Sequence, residues 1–266
     1  MNGLINADAF RRSAAVIALC AASLSAQATI VEFQTAEGNF QVNLYDNATP
    51  ETVTNFLNYV NNGAYTTSIF HRSVPGFVIQ GGGFTVNVAA GLDAIPVNAA
   101  VVNEPEFANV RGTIAMAKLA GDPNSATSQW FFNLADNTAN LDGQNGGFTV
   151  FGEVVGNGMD VVDAIAALPV YDFGGVTAEI PLRNYTQDDY NAGAPVDENN
   201  FVMINAIVVT DSTVDSAAGL NPPANTASGG GSTPNPPPAA LGGGGGSLGL
   251  FGVFGLLALA WRRKRA

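Results

Sequence analysis

Residues 65–84 read Tyr-Thr-Thr-Ser-Ile-Phe-His-Arg-Ser-Val-Pro-Gly-Phe-Val-Ile-Gln-Gly-Gly-Gly-Phe. The stretch from Ile69 to Gln80 has the apolar, β-branched character of a strand. His71 and Arg72 sit inside it, flanked by Phe70 and Phe77, and glycines at 81–83 end it. Taken one at a time, Arg72 reads as a surface charge and Phe77 as core. Their grouping with Pro75, Gly76 and Gln80 is what sets the segment apart.

Working outward, Val31–Thr35 and Phe40–Tyr45 alternate apolar and polar residues, and the turn-forming Ala36-Glu37-Gly38-Asn39 between them predicts a hairpin. Thr49 and Pro50 stand as N-cap and first helical residue, with Val53, Phe56, Leu57 and Val60 at helical spacing and Gly63 as the stop. Further strands are expected over Thr113–Ala117, Trp130–Leu134, Phe148–Val154 and Val202–Thr210. A second helix is expected over Met159–Leu168, with Val161, Val162, Ile165 and Leu168 on one face. Many short strands with glycine-rich turns indicate a mainly β domain, a sandwich or a closed barrel, with two helices to cap it.

Composition removes several kinds of chemistry. Between the two termini the only cations are Arg72, Arg111, Lys118 and Arg183, against all but one (Asp8) of the 22 acids. A nucleic-acid backbone needs a basic footprint, so nucleic-acid binding is excluded. His71 is the one histidine and Cys20 the one cysteine, so no multi-His or Cys-based metal site is expected. No Gly-x-Ser-x-Gly elbow and no P-loop is present. Gly156-Asn157-Gly158 is too small a fragment to indicate a dinucleotide. The chain is expected to use no metal and no cofactor.

The opening segment resembles the signature of the cyclophilin-type peptidyl-prolyl cis-trans isomerases. Phe70-His71-Arg72, Pro75-Gly76-Phe77 and Gln80-Gly81-Gly82 stand at that family's spacing. Colinear matches follow at Gly112–Ala117, Ser125–Phe132, Leu141-Asp142-Gly143, Val150-Phe151-Gly152 and Gly158–Asp163, so the resemblance covers about residues 29–211. It implies a closed eight-stranded antiparallel β-barrel capped by two α-helices, with a shallow groove on its outer face. It implies Arg72 as the catalytic arginine, Gln80 on the polar side of the groove and His71 at its second edge. The proline pocket would be Phe77, Met116, Phe131 and Leu141, with Phe148 at the rim and Gln129 supporting the strand beside Phe131. The implied partners are proline-containing polypeptides, and the domain would be a monomer. A binding or holding-chaperone module with little turnover is the alternative, and retention of Arg72 argues against it.

Four departures stand out. Asn140 occupies a position where the family commonly has Trp or Phe, an aromatic that helps bind cyclosporin; Lys118 stands where many members have Asn. The loop 144–147 and the acidic stretch 169–200 are long, the latter expected as an ordered surface insertion.

Both ends read as targeting segments. Arg11-Arg12, the apolar Ala14–Leu24 and Ala26-Gln27-Ala28 form a secretory signal over residues 1–28, with cleavage before Thr29. The isomerase domain is then expected over 29–215 and a Pro/Gly/Ser-rich linker over 216–246, unpacked from Asn221 to Pro238. The last part, 247–266, holds an apolar run from Leu248 to Trp261 followed by Arg-Arg-Lys-Arg. A full membrane span needs about 20 residues, so this one is short, and its basic tail would remain cytoplasmic. The arrangement resembles GlyGly-CTERM sorting signals, which implies export to the periplasm or cell surface and a rhomboid-type sorting protease as a partner.

Overall fold

The computed structural model describes residues 29–87, 91–212 and 220–227. The two segments expected to be targeting signals, 1–28 and 247–266, lie outside the described residues. Among the described residues no helix is long and apolar enough to cross a membrane.

The chain runs β1 (Ile30–Thr35), β2 (Gly38–Leu44), α1 (Pro50–Asn61), β3 (Ser68–Ile69), β4 (Arg72–Val74), β5 (Val78–Gly81), β6 (Phe84–Asn87) and β7 (Gly91–Ala94). There follow β8 (Thr113–Met116), β9 (Trp130–Asn133), α2 (Thr138–Leu141), β10 (Val150–Val155), α3 (Gly158–Ala166), β11 (Val170–Tyr171), β12 (Ile180–Pro181), α4 (Gln187–Ala192) and β13 (Met203–Asp211). Eleven strands form one antiparallel sheet in the order β4-β5-β9-β8-β10-β2-β1-β13-β3-β6-β7. That order runs as a single curled sheet with two ends, β4 and β7, and does not by itself close into the expected eight-stranded barrel. The hairpin β6–β7, which carries Asn87 and Gly91 and little alternation, was not foreseen.

The expected hairpin forms as β1–β2 in register from Ile30↔Asn43 to Thr35↔Gly38. The single strand expected over Ile69–Gln80 is in fact three. Pro75 and Gly76 reverse the chain, with Phe77 N–H donating to Val74 C=O (3.0 Å) and Gly76 at φ +70°, a backbone only glycine adopts freely. A break at Phe70-His71 separates β3 from β4.

One face of every central strand fills the interior. Phe33, Phe40, Ile79, Ile114, Met116, Trp130, Phe132 and Phe151 are buried together there with Phe56 of α1 and Val162 and Ile165 of α3. Phe33 lies at the centre, stacked on Phe40 at 4.9 Å and meeting Trp130 and Phe132 edge-on at 5.2 and 5.4 Å. Such aromatic contacts add to the burial that drives the fold. Trp130 also explains the glycine after Gln80: a Cβ on Gly81 would stand 2.6 Å from the indole.

Helix α1 starts where the sequence indicates, at Thr49-Pro50. The Thr49 side chain does not cap it; its hydroxyl donates to Tyr45 C=O (3.2 Å). The open N–H groups of Glu51 and Thr52 instead donate to the carboxylate of Glu104, at 3.2 and 2.9 Å. An anion at a helix N-terminus is favourable by charge as well as by hydrogen bonding.

The stretch 169–200 is ordered and has its own apolar cluster, in which Tyr171, Ile180, Leu182 and Tyr185 pack with Ile69 of β3. Its helix α4 is closed by a reciprocal capping box between Thr186 and Asp189. The first part of the expected linker is not unpacked. Ala108 N–H donates to Pro223 C=O (2.8 Å), Asn225 N–H donates to Glu106 C=O (2.9 Å), and Leu220 rests on the outer apolar cluster described next.

Candidate functional site

Directly opposed residues of antiparallel strands share a sheet face. Arg72 of β4 opposes Gln80 of β5, Gln80 opposes Phe131 of β9, and Phe131 opposes Ala115 of β8. These four side chains form a row across the outer face, charged at one end and apolar at the other. Because strands alternate, Ile79, Trp130, Phe132, Ile114 and Met116 point the other way, into the interior.

The apolar end is a separate cluster. Val78, Ala115, Phe131, Leu141, Phe148 and Val150 are buried in it, with Phe77 and Ala117 partly exposed at its edge. Phe131 and Phe148 meet edge-on at 5.8 Å. Leu141 is placed by its neighbour: the Asp142 carboxylate accepts from Asn109 N–H (2.8 Å) and from Asn109 Nδ2 (2.9 Å). Phe148 is placed by Lys118, whose ammonium lies 4.8 Å from the ring centre and donates to the carbonyls of Asn145 and Gly147. Burial lowers the Lys118 pKa to about 8, with Asp122 opposing the shift.

At the polar end, Gln80 Nε2 donates to Gln129 Oε1 (2.8 Å). Arg72 Nε donates to Glu179 Oε2 (2.6 Å), and Arg72 Nη1 is buried without a partner. The arginine side chain is only 14% exposed. A planar, always-charged donor beside an apolar cluster suits a ligand with an apolar ring and a carbonyl or amide nitrogen to address.

The structure thus brings together Arg72, Gln80, Gln129, Phe77, Phe131, Leu141 and Phe148. It does not bring in Met116, which was expected in the pocket: it is fully buried in the interior cluster, on the opposite face of β8 from Ala115 and Ala117. His71, expected at the second edge of the groove, is 1% exposed, with its ring edge-on to Phe84 at 5.0 Å. Burial, reinforced by the charge of Arg72, pushes its pKa down to about 3, so it is neutral and sealed from a peptide. Val78, Ala115 and Ala117 were missed as pocket residues. Period-two counting from Gln80 finds Val78, whereas Ala115 and Ala117 follow only from the pairing of Ala115 with Phe131 and the pleat of β8. Glu179 was missed too, and nothing in its sequence neighbourhood points to Arg72.

Comparison with known proteins follows the same lines. A family model, cyclophilin type peptidyl-prolyl cis-trans isomerase/CLD, matches residues 30–187. A peptidyl-prolyl cis-trans isomerase of Acinetobacter baylyi is 46% identical over 147 residues, 55% of this chain and 76% of that protein. Peptidyl-prolyl cis-trans isomerase B of Escherichia coli is 44% identical over 140 residues, 51% of this chain and 83% of that protein. Among solved structures, a cyclophilin type peptidyl-prolyl cis-trans isomerase of Cryptosporidium parvum superposes with a TM-score of 0.51 at 24% identity, over 70% of this chain and 99% of that one, a likeness of fold. With the family match spanning more than half of its residues, this chain belongs to the cyclophilin-type peptidyl-prolyl cis-trans isomerases.

Proposed function

We propose that the outer groove isomerises X-Pro bonds of exported polypeptides, with the proline ring seated against Phe77, Phe131, Leu141 and Phe148 and Arg72 acting on the twisted amide. The activity itself, peptidyl-prolyl cis-trans isomerisation, follows from the family and from relatives as similar as 46% identical. The observation that carries the site is the row Arg72–Gln80–Phe131 on one sheet face.

An X-Pro amide resists rotation by about 18–20 kcal/mol because of its double-bond character. Rotation breaks no bond and needs no nucleophile. It needs the nitrogen lone pair to localise as resonance is lost. A guanidinium hydrogen bond to that nitrogen, or to the carbonyl after the proline, stabilises the twisted state more than either planar one. The apolar recess holds the ring while the preceding carbonyl swings, and it excludes water, which strengthens the field of Arg72. A gain of about 10⁵-fold requires about 7 kcal/mol, which a fixed ring and a charged donor can supply. Gln80, only 2% exposed and held by Gln129, stands between the charge and the apolar cluster and keeps Arg72 and Phe131 in register.

Export is part of the same reading. Thr29 would become the first residue after cleavage, and its N–H and hydroxyl already donate to the Asp46 carboxylate at 2.7 and 2.8 Å. A new α-ammonium would find its counter-ion in place. The apolar run 248–261 would tether the domain, as a monomer, before a rhomboid-type protease acts on it. We also read Ser68–Val74 as one continuous strand of an eight-stranded barrel with β6–β7 appended. The support is Phe70 N–H donating to Val202 C=O on β13's side and His71 N–H to Gln80 C=O on β5's side, both 3.1 Å.

The test is a cis-to-trans exchange assay on a short X-Pro peptide with the folded protein. Acceleration over the uncatalysed rate is expected; an unchanged rate refutes the function.

A further inference from the structure

The stretch 169–200, expected as an insertion, meets Arg72 through Glu179. Glu179, just before β12, holds Arg72 through Nε at 2.6 Å. It does so from a built support. The Glu179 carbonyl accepts from Ser73 N–H (2.7 Å), the residue beside Arg72, so the backbone of the insertion is tied to β4, the end strand of the sheet. The next residue, Ile180, is anchored with Tyr171, Leu182 and Tyr185 against Ile69.

This support has a chemical consequence. An arginine side chain is long and mobile, but its guanidinium is planar, so fixing one edge fixes the plane of all its donors. With Nε engaged, the plane of the guanidinium is set: Nη1 is buried, and the 14% of the side chain left exposed is what a peptide can meet. Pre-aligned donors of this kind act chiefly on the charge that develops in the transition state.

We propose that Glu179 is a positioning residue for Arg72, and that the insertion 169–200 is thereby part of the catalytic apparatus rather than a surface ornament. The inference rests on Arg72 being the catalytic arginine, as read above. In this role Glu179 acts through Arg72. Its side chain is 43% exposed, and the Ser73 hydrogen bond comes from its backbone, so replacing the side chain leaves the anchoring intact.

The experiment is a double-mutant cycle in the full chain with Glu179→Gln, Arg72→Ala and the pair, read by NMR exchange of an X-Pro peptide. Glu179→Gln is expected to lower kcat about tenfold with KM within about twofold, because misalignment of a catalytic group is felt in the transition state. In the Arg72→Ala background the same change is expected to have no further effect. The Arg72 Nε–H resonance, identified by its loss in Arg72→Lys, is expected to move in Glu179→Gln. Wild-type kcat in Glu179→Gln beside a deficient Arg72→Ala overturns the inference and leaves the reading of Arg72 standing. Losses that multiply in the double variant overturn it as well, since they mark a structural effect independent of Arg72. Wild-type turnover in Arg72→Ala overturns the reading of Arg72 and the inference with it.

Discussion

Arg72 and Phe131 stand on the same face of the sheet two strands apart, with Gln80 paired to both. Opposed residues lie about 5 Å apart, so the guanidinium and the ring span roughly a prolyl residue and the peptide group next to it. That span fits the proposed roles, with the charge at the twisting amide and the apolar surface under the ring.

Arg72 is the first test of this arrangement. Arg72→Ala is expected to lower turnover by about 10²-fold, or about 2.7 kcal/mol of transition-state stabilisation. Affinity for a ground-state peptide is expected to change far less. Arg72→Lys keeps the charge but loses the planar fork and the Nε bond to Glu179, so it is expected to recover only part of the loss. Exchange rates at saturating peptide separate these outcomes from those of a bystander charge, which would leave both variants unchanged.

His71 offers a test on stability rather than turnover. Its pKa is lowered to about 3 in the folded protein, first by burial and then by the Arg72 charge, against about 6.5 unfolded. The unfolded chain therefore binds a proton that the folded one refuses between those values. The neutral His71 does not penalise folding above about pH 6.5, and stability is lost as the pH falls from there toward 3, by up to about 1.4 kcal/mol per pH unit. Denaturation of the wild type and His71→Gln between pH 4 and 7 is expected to differ in slope by this contribution. Equal slopes would show that the ring takes up its proton in the folded state. The pH profile of kcat/KM is expected to have no step from His71 near 6.5.

Asp46 tests the processing of the chain. In a chain beginning at Thr29, Asp46→Asn is expected to lower stability by about 1–2 kcal/mol, because the α-ammonium loses its counter-ion and keeps only a neutral amide acceptor. In the unprocessed chain, where Thr29 has an amide N–H, the loss is expected to be smaller. Chemical denaturation of both forms, with N-terminal sequencing of the exported protein, measures this. A mature chain beginning elsewhere would remove the proposed role.

Asn140 lies exposed on α2, one residue before the buried Leu141. Without an aromatic wall at this position, cyclosporin is expected to bind at least about tenfold more weakly than to a Trp-bearing relative, since each lost contact or hydrogen bond is worth about 1–2 kcal/mol. Asn140→Trp is expected to restore affinity with little change in turnover. Titration calorimetry checks this, and tight binding by the unmodified protein would contradict it.

Local chemistry was enough for much of this protein. Alternation over residues 31–45 produced the β1–β2 hairpin, and Pro50 and the spacing of Val53, Phe56 and Val60 produced α1, because those patterns act through neighbours in the chain. The motif around Arg72 identified the groove's charged end and most of its apolar one. What the sequence could not decide is whatever depends on which face or which distant segment a residue meets. Met116 and Ala117 are adjacent and both apolar, yet only the pleat sends one inward and the other toward the pocket. His71 and Arg72 are adjacent too, and packing under Phe84 seals the first while β4 presents the second. Thr49 has the chemistry of a cap, but Glu104, some fifty residues on, takes the N–H groups because the folded chain brings a carboxylate to them. Glu179 meets Arg72 across 107 residues. Sequence patterns report periodicity and local bonding, whereas long-range pairs exist only once the sheet has curled and brought its strands' neighbours into contact.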